Sequence, residues 1–213
     1  MTQHAITHWI FDLDNTLYPP EARLFDQIEQ KMETYITREL GLDNSAAKSL
    51  RADFWHNHGT TLAGLMEVHK IDPDPFLDEV HDIDLAALSP DPQLAATIAA
   101  LPGQRIIYTN GSRNHGERVS TARGLRESFH GVYGIEDARY VPKPHPSAYL
   151  AILSAAQIDP TRAVMVEDDP RNLEAPAAMG MTTILVGPPV DADHIHHQTR
   201  DLGALLQSFL TAP

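Results

Sequence analysis

The chain has 213 residues, no cysteine and a formal net charge of −13, from 16 Lys+Arg against 29 Asp+Glu with the 12 His counted neutral. That length allows one large domain or one domain with an insertion, and it buries a core without disulfides; 42% hydrophobic and 21% charged content excludes a disordered chain. The acid excess argues against duplex nucleic acid, which needs clustered Lys and Arg. No apolar run nears the ~20 residues that span a bilayer, and Met1-Thr2-Gln3-His4-Ala5 lacks signal-peptide character, so a cytoplasmic protein without membrane contact, monomeric or weakly dimeric, is expected.

In chain order, Ile6 and Trp9-Ile10-Phe11 form a β-type run that stops at Asp12-Leu13-Asp14-Asn15. From about Tyr18 to Leu88 the pattern turns helical. Leu24, Ile28, Tyr35, Ile36 and Leu40 share one helical face before a stop at Gly41. Ser45 is placed to cap a second helix through Trp55, and Thr60 or Thr61 a third through Val68. Pro73-Asp74-Pro75 opens a fourth, carrying Phe76, Leu77 and Val80. Beyond this stretch helices and strands alternate. Pro92 to Leu101 precedes the strand Ile106-Ile107-Tyr108-Thr109, and Pro146 to Ala156 precedes Ala163-Val164-Met165-Val166. Leu173 to Met179, stopped by Gly180, precedes Thr182-Thr183-Ile184-Leu185-Val186. Short, continuously apolar strands of this kind are buried on both faces. The expected fold is α/β, a parallel sheet covered by helices on both faces. Residues 1–17 and 89–213 form its core domain, and 18–88 a helical cap inserted after the first strand.

Chemistry concentrates where the strands end. Asp12 and Asp14, two residues apart at the C-terminal end of a buried strand, project into the crevice where open α/β sheets bind ligands. Crowded carboxylates raise each other's pKa unless a cation compensates, and their hard oxygens suit Mg²⁺. After the second strand, Thr109-Asn110-Gly111-Ser112 offers hydroxyls and backbone N–H groups to an anion. Lys143, between Pro142 and Pro144 on an extended segment, is a fixed positive charge for a phosphate. Glu167-Asp168-Asp169 closes the third strand with further carboxylates. Taken singly, each has a plain alternative: an acidic turn, a solvated lysine, a strand-end loop.

The ordered set resembles the haloacid dehalogenase (HAD) superfamily over essentially the whole chain outside the cap. Phe11-Asp12-Leu13-Asp14-Asn15-Thr16-Leu17-Tyr18, Thr109-Asn110 and Lys143-Pro144-His145 are most similar to its pyrimidine 5′-nucleotidase branch. The resemblance implies a Rossmann-like HAD core and an Mg²⁺-dependent phosphatase for a small phosphomonoester, a pyrimidine nucleotide above all. In that reading Asp12 is the nucleophile that becomes an aspartyl-phosphate. Asp14 is the acid/base, which requires its pKa to be raised by burial under the cap. Thr109, the Asn110 backbone and Lys143 hold the phosphoryl oxygens. Mg²⁺ sits on Asp12, the Asp14 carbonyl and Asp168, assisted by Glu167, with the division of labour among Glu167, Asp168 and Asp169 open. Dehalogenases of the same superfamily lack the second aspartate, so Asp14 favours phosphate. The alternatives are a sugar phosphate or other small phosphoester as substrate, or a regulatory module that binds phosphate without turnover.

In the cap, Trp55, His56 and, at its entry, Tyr18 are candidate substrate contacts, set against a packing role between helices. Arg113 and Arg171 follow motif loops and either reach a ligand or cap helices. His194, His196 and His197 are read as a solvated loop rather than a metal tract, and His4 and His8 as structural or solvated.

Overall fold

The four apolar runs become four adjacent strands because each can bury both of its faces. In a computed structural model, which describes residues 6–211, they are β1 (His8–Phe11), β2 (Gln104–Tyr108), β4 (Ala163–Glu167) and β5 (Thr182–Val186). Two three-residue edge strands, β3 (Gly131–Tyr133) and β6 (His197–Thr199), complete a six-stranded sheet of order β3-β2-β1-β4-β5-β6. All pairings are parallel.

Alternate residues of each strand face opposite layers. Trp9, Phe11, Ile107, Val164 and Val166 share one cluster with Leu94 and Ile98 of α5 (Pro92–Ala100), Val119 of α6 (Arg113–Ala122) and Leu202 and Leu206 of α9 (Leu202–Thr211). Ile10, Ile106, Tyr108 and Met165 pack on the other side, against Tyr149 and Ile152 of α7 (Pro146–Ala156) and Ala175 of α8 (Glu174–Ala178). The sheet is thus covered by helices on both faces. Among the described residues no helix is long and apolar enough to cross a membrane.

Between β1 and β2 the chain forms α1 (Leu24–Leu40), α2 (Asn44–His58), α3 (Thr61–His69) and α4 (Pro73–Val80). Their apolar faces meet through Leu24, Ile28, Ile36, Phe54, Leu65 and Val80, and Tyr35 sets its ring edge-on to Phe76 at 5.0 Å. Gly64 lets α3 approach α2: a Cβ there would fall 2.3 Å from the Phe54 ring. The cap of α2 is Asp43 rather than Ser45, because its carboxylate accepts the Ala46 N–H one turn in. Thr60 does the same for α3 through the Ala63 N–H.

Two departures from the sequence reading concern the edges. β3 and β6 lack an apolar run, since an edge strand needs fewer buried residues. The histidines read as a solvated loop instead fasten the sheet edge. His196 Nδ1 accepts the Thr183 N–H at 3.0 Å, His194 Nε2 lies 2.9 Å from the Pro170 carbonyl, and His197 opens β6. His4 lies outside the described residues.

The strand order places β1 between β2 and β4, so connections to either side of β1 and β4 run in opposite directions. Such a switch point opens a crevice beyond the carboxyl ends of the strands. Asp12, Thr109 and Glu167 all stand at that end.

Candidate active site

The Asp12 N–H donates to the Val166 carbonyl at 2.8 Å, extending the β1–β4 ladder and fixing Asp12 at the crevice floor. The next residues turn sharply: the Thr16 and Leu17 N–H groups both return to the Leu13 carbonyl, with Asn15 left-handed at φ 60°. Asparagine tolerates that conformation better than most residues, which explains its place in Asp-Leu-Asp-Asn-Thr. Leu13 points into the core, fully buried, while Asp12 and Asp14 flank the cavity.

Lys143 joins the motifs. The residue is 2% exposed, and its ammonium donates to Asp12 Oδ1 and Glu167 Oε1, both at 2.7 Å, and to the Tyr108 carbonyl at 3.3 Å. Asn110 clamps the lysine's backbone: the Lys143 N–H donates to Asn110 Oδ1 at 2.8 Å and Asn110 Nδ2 donates to the Lys143 carbonyl at 3.2 Å. Burial alone would drive the proton off Lys143, but Asp12 and Glu167 more than offset it and hold its pKa well above the usual lysine value.

One cation does not balance three carboxylates. Burial, with Glu167 beside it and against the pull of Lys143, pushes Asp12 up to about 7. Burial with Asp12 and Glu167 close by pushes Asp168 up to about 9. Oxygens of Asp12, Glu167 and Asp168 lie within 4.8 Å of one another, a hard, negative donor set that fits Mg²⁺. Glu167 is the most committed of the three. Its Oε2 accepts the N–H groups of Asp168 and Asp169, and its Oε1 accepts from Lys143 and Asn172. Asp169 is drawn away by an ion pair with Arg171 at 2.6 Å. A direct metal contact therefore falls more readily to Asp12 and Asp168.

A carboxyl whose folded pKa exceeds its unfolded one keeps its proton in the native state where the unfolded chain has already lost it. Stability from these groups is therefore highest in acid and falls as pH rises through about 7 for Asp12 and about 9 for Asp168. Millimolar Mg²⁺ is expected to raise the thermal midpoint by several degrees more at about pH 8.5 than at about pH 5.5. Equal increments at the two pH values, read by scanning calorimetry, would remove these carboxylates as ligands.

Asp14 departs from expectation. Burial would raise its pKa, but the neighbouring His115 and a hydrogen bond from Tyr18 overcome burial and hold it at about 2. Its Oδ1 accepts from the Tyr18 hydroxyl at 2.6 Å and lies 2.9 Å from His115 Nε2; Oδ2 is 3.4 Å from Thr109 Oγ1. Asp14 thus rests as a carboxylate. His115 went unnoticed in the sequence, although its place six residues after Thr109, in the first turn of the helix that follows the Thr109-Asn110-Gly111-Ser112 loop, was the available signal.

Above the carboxylates opens a cavity of about 500 Å³, whose cap side includes Phe25, Met32, Trp55 and Leu77. Arg171 reaches the cap by laying its guanidinium 4.4 Å over the Trp55 ring. His56 is exposed and not among the lining residues, and Tyr18 is buried on Asp14 rather than facing the cavity. Arg113 turns to Asp137 instead of the crevice. The structure thus brings Asp12, Asp14, Thr109, Asn110, Lys143, Glu167 and Asp168 to one wall of a single cavity.

Comparison with known proteins agrees with this arrangement. A family model described as haloacid dehalogenase-like hydrolase matches residues 6–180. Phosphate metabolism protein 8 of Saccharomyces cerevisiae is 23% identical over 194 residues, 83% of this chain and 60% of that protein. The (S)-2-haloacid dehalogenase of Xanthobacter autotrophicus is 29% identical over 171 residues, 75% of this chain and 66% of that protein. The matched stretch is thus less than two thirds of either relative's own length. A HAD phosphatase from Thermococcus onnurineus shares the fold, with a TM-score of 0.65 at 17% identity over 96% of this chain and 98% of that one.

Proposed function

We propose that this chain, which belongs to the haloacid dehalogenase-like hydrolase family, is an Mg²⁺-dependent phosphomonoesterase acting through an aspartyl-phosphate, with pyrimidine nucleoside 5′-monophosphates as its preferred substrates. The observation that carries the phosphatase reading is Asp14. Its carboxylate is held by Tyr18 and His115 on the same cavity wall as Asp12, which suits a reaction that must move a proton. A halide leaves without a proton, so the dehalogenase relative is the weaker guide to the chemistry. A relative named for phosphate metabolism supports the same choice.

In this reading Asp12 attacks phosphorus while Lys143 and the Thr109-Asn110 loop hold the phosphoryl oxygens. The approaching phosphate dianion places a like charge beside Asp14 and raises its proton affinity, so that the carboxylate takes up a proton from solvent and carries it to the leaving oxygen. Ionised again, Asp14 takes a proton from the water that attacks the acyl phosphate. Mg²⁺, held by Asp12, the Asp14 carbonyl and Asp168, would supply the charge neutralisation that an acidic site needs to accept a phosphate. Residues 18–88 act as the cap that closes the cavity, and its apolar lining with Trp55 favours a planar base.

The test is phosphate release across nucleoside monophosphates, sugar phosphates and phosphoamino acids, with a 2-haloacid as control, in Mg²⁺ and in EDTA. The highest kcat/KM is expected for UMP or CMP, with activity lost in chelator and restored by Mg²⁺. A sugar phosphate ahead of every nucleotide would overturn the nucleotide assignment, and halide release without phosphate release the phosphatase itself.

A further inference from the structure

Two buried histidines stand behind Asp14. His115, 1% exposed in the first turn of α6, places Nε2 2.9 Å from Asp14 Oδ1, and its Nδ1 is buried without a hydrogen-bond partner among the described residues. His81, 5% exposed, ends α4, where the chain turns back from the cap helices. The two rings stack with centroids 4.4 Å apart and planes 19° from parallel. His81 Nδ1 lies 3.1 Å from Ser112 Oγ, and Arg118 donates to the carbonyls of His81 and Ile83 at 2.8 and 3.1 Å. Ser112, His115 and Arg118 recur every three residues, so one face of α6 both fastens the returning chain and meets Asp14.

The geometry is directional. With no partner at Nδ1, the ring proton that makes a bond is the one on Nε2, so His115 donates to Asp14. Oδ1 then has two donors, Tyr18 at 2.6 Å and His115 at 2.9 Å, while among the described residues Oδ2 has only the long contact of 3.4 Å from Thr109. The occupied oxygen anchors the carboxyl and the other is left to work. We infer that His115 is a positioning residue for Asp14: it pins Oδ1 so that Oδ2 meets the leaving-group oxygen, and the stacked His81 keeps its ring in plane while the cap's return segment is docked. This rests on the phosphatase reading above, in which Asp14 delivers that proton.

Leaving-group dependence separates positioning from a merely structural role. An alkyl phosphate needs its leaving oxygen protonated; 4-nitrophenyl phosphate, whose phenolate is stable, does not. With the Mg²⁺-loaded full chain, His115→Phe, which keeps the flat ring and removes the N–H, is expected to lower kcat/KM, which ends at departure of the leaving group and so leaves out the shared hydrolysis of the aspartyl-phosphate, about 100-fold on the alkyl ester but less than about 10-fold on the nitrophenyl ester. His115→Gln, which restores a donor, is expected to lose about 10-fold on the alkyl ester and almost nothing on the other, so the comparison survives if the Phe variant fails to fold. Equal losses of kcat/KM on both esters, or an unchanged alkyl-ester kcat/KM in both variants, overturns the inference while leaving the phosphatase reading intact. Wild-type protein that hydrolyses neither ester overturns both.

Discussion

Asp12→Asn is expected to lower phosphate release by at least about 10⁴-fold while leaving the fold in place, since removing a covalent nucleophile costs orders of magnitude that no neighbour restores. The fold survives because what ties Asp12 to the sheet is its backbone N–H on Val166, and an amide oxygen still accepts from Lys143. The substitution also removes one of three crowded carboxylates. The metal-free variant should therefore melt no lower than the parent at neutral pH, as scanning calorimetry would show. Two measurements are needed together: a variant that is inactive and unfolded says nothing of the nucleophile, and a folded one that keeps more than about a tenth of the parent rate would remove Asp12 from that role.

Lys143→Met carries the second large effect, and here stability moves as well. The ammonium is the sole cation bonded to Asp12 and Glu167 among the described hydrogen bonds, and it is buried with both. Its removal leaves two carboxylates facing each other out of water, a loss of about 3–5 kcal/mol by analogy with other broken buried pairs. The loss depends on pH in a direction the charges dictate. Without the ammonium, which pulls the Asp12 pKa down, that carboxyl holds its proton more tightly, so acid relieves the repulsion and alkali sharpens it. Urea unfolding should show the variant close to the parent near about pH 5 and much weaker near about pH 8.5, with phosphate release down by about 10³-fold or more wherever it folds. A variant equally stable at both pH values would show that Lys143 is not the counterion of the pair.

Much of the site was legible because its residues sit where strands end, and strands with two buried faces announce themselves as unbroken apolar runs. Asp12, Thr109 and Glu167 follow such runs directly, and Lys143 lies between prolines that hold its backbone extended. The edges were harder to read. β3 has three residues and β6 is His-Gln-Thr, neither long nor apolar enough to stand out from a turn. The partners of Asp14 were harder still, because His81 and His115 are 34 residues apart and only the docking of α4's end on α6 makes them neighbours. The reversed expectation for Asp14 has a similar cause: burial was foreseeable from a cap, but the His115 imidazole against the carboxylate was not.

The position of β1 at the middle of the sheet has a consequence for how the protein is made. This first strand pairs with strands beginning at Gln104 and Ala163, so it has no partner until the four helices of the insertion and β2 have been made, and its second partner comes later still. Until then Trp9, Ile10 and Phe11 stay exposed, in a topology whose long loops must close before any sheet contact offsets their entropy. The segment that carries Asp12 thus precedes both of its partner strands and has to wait for them. Chains that stop short of β4 should accumulate as species with a bare hydrophobic strand, recognised by chaperones and prone to aggregate, and catalytic competence should appear in one late step.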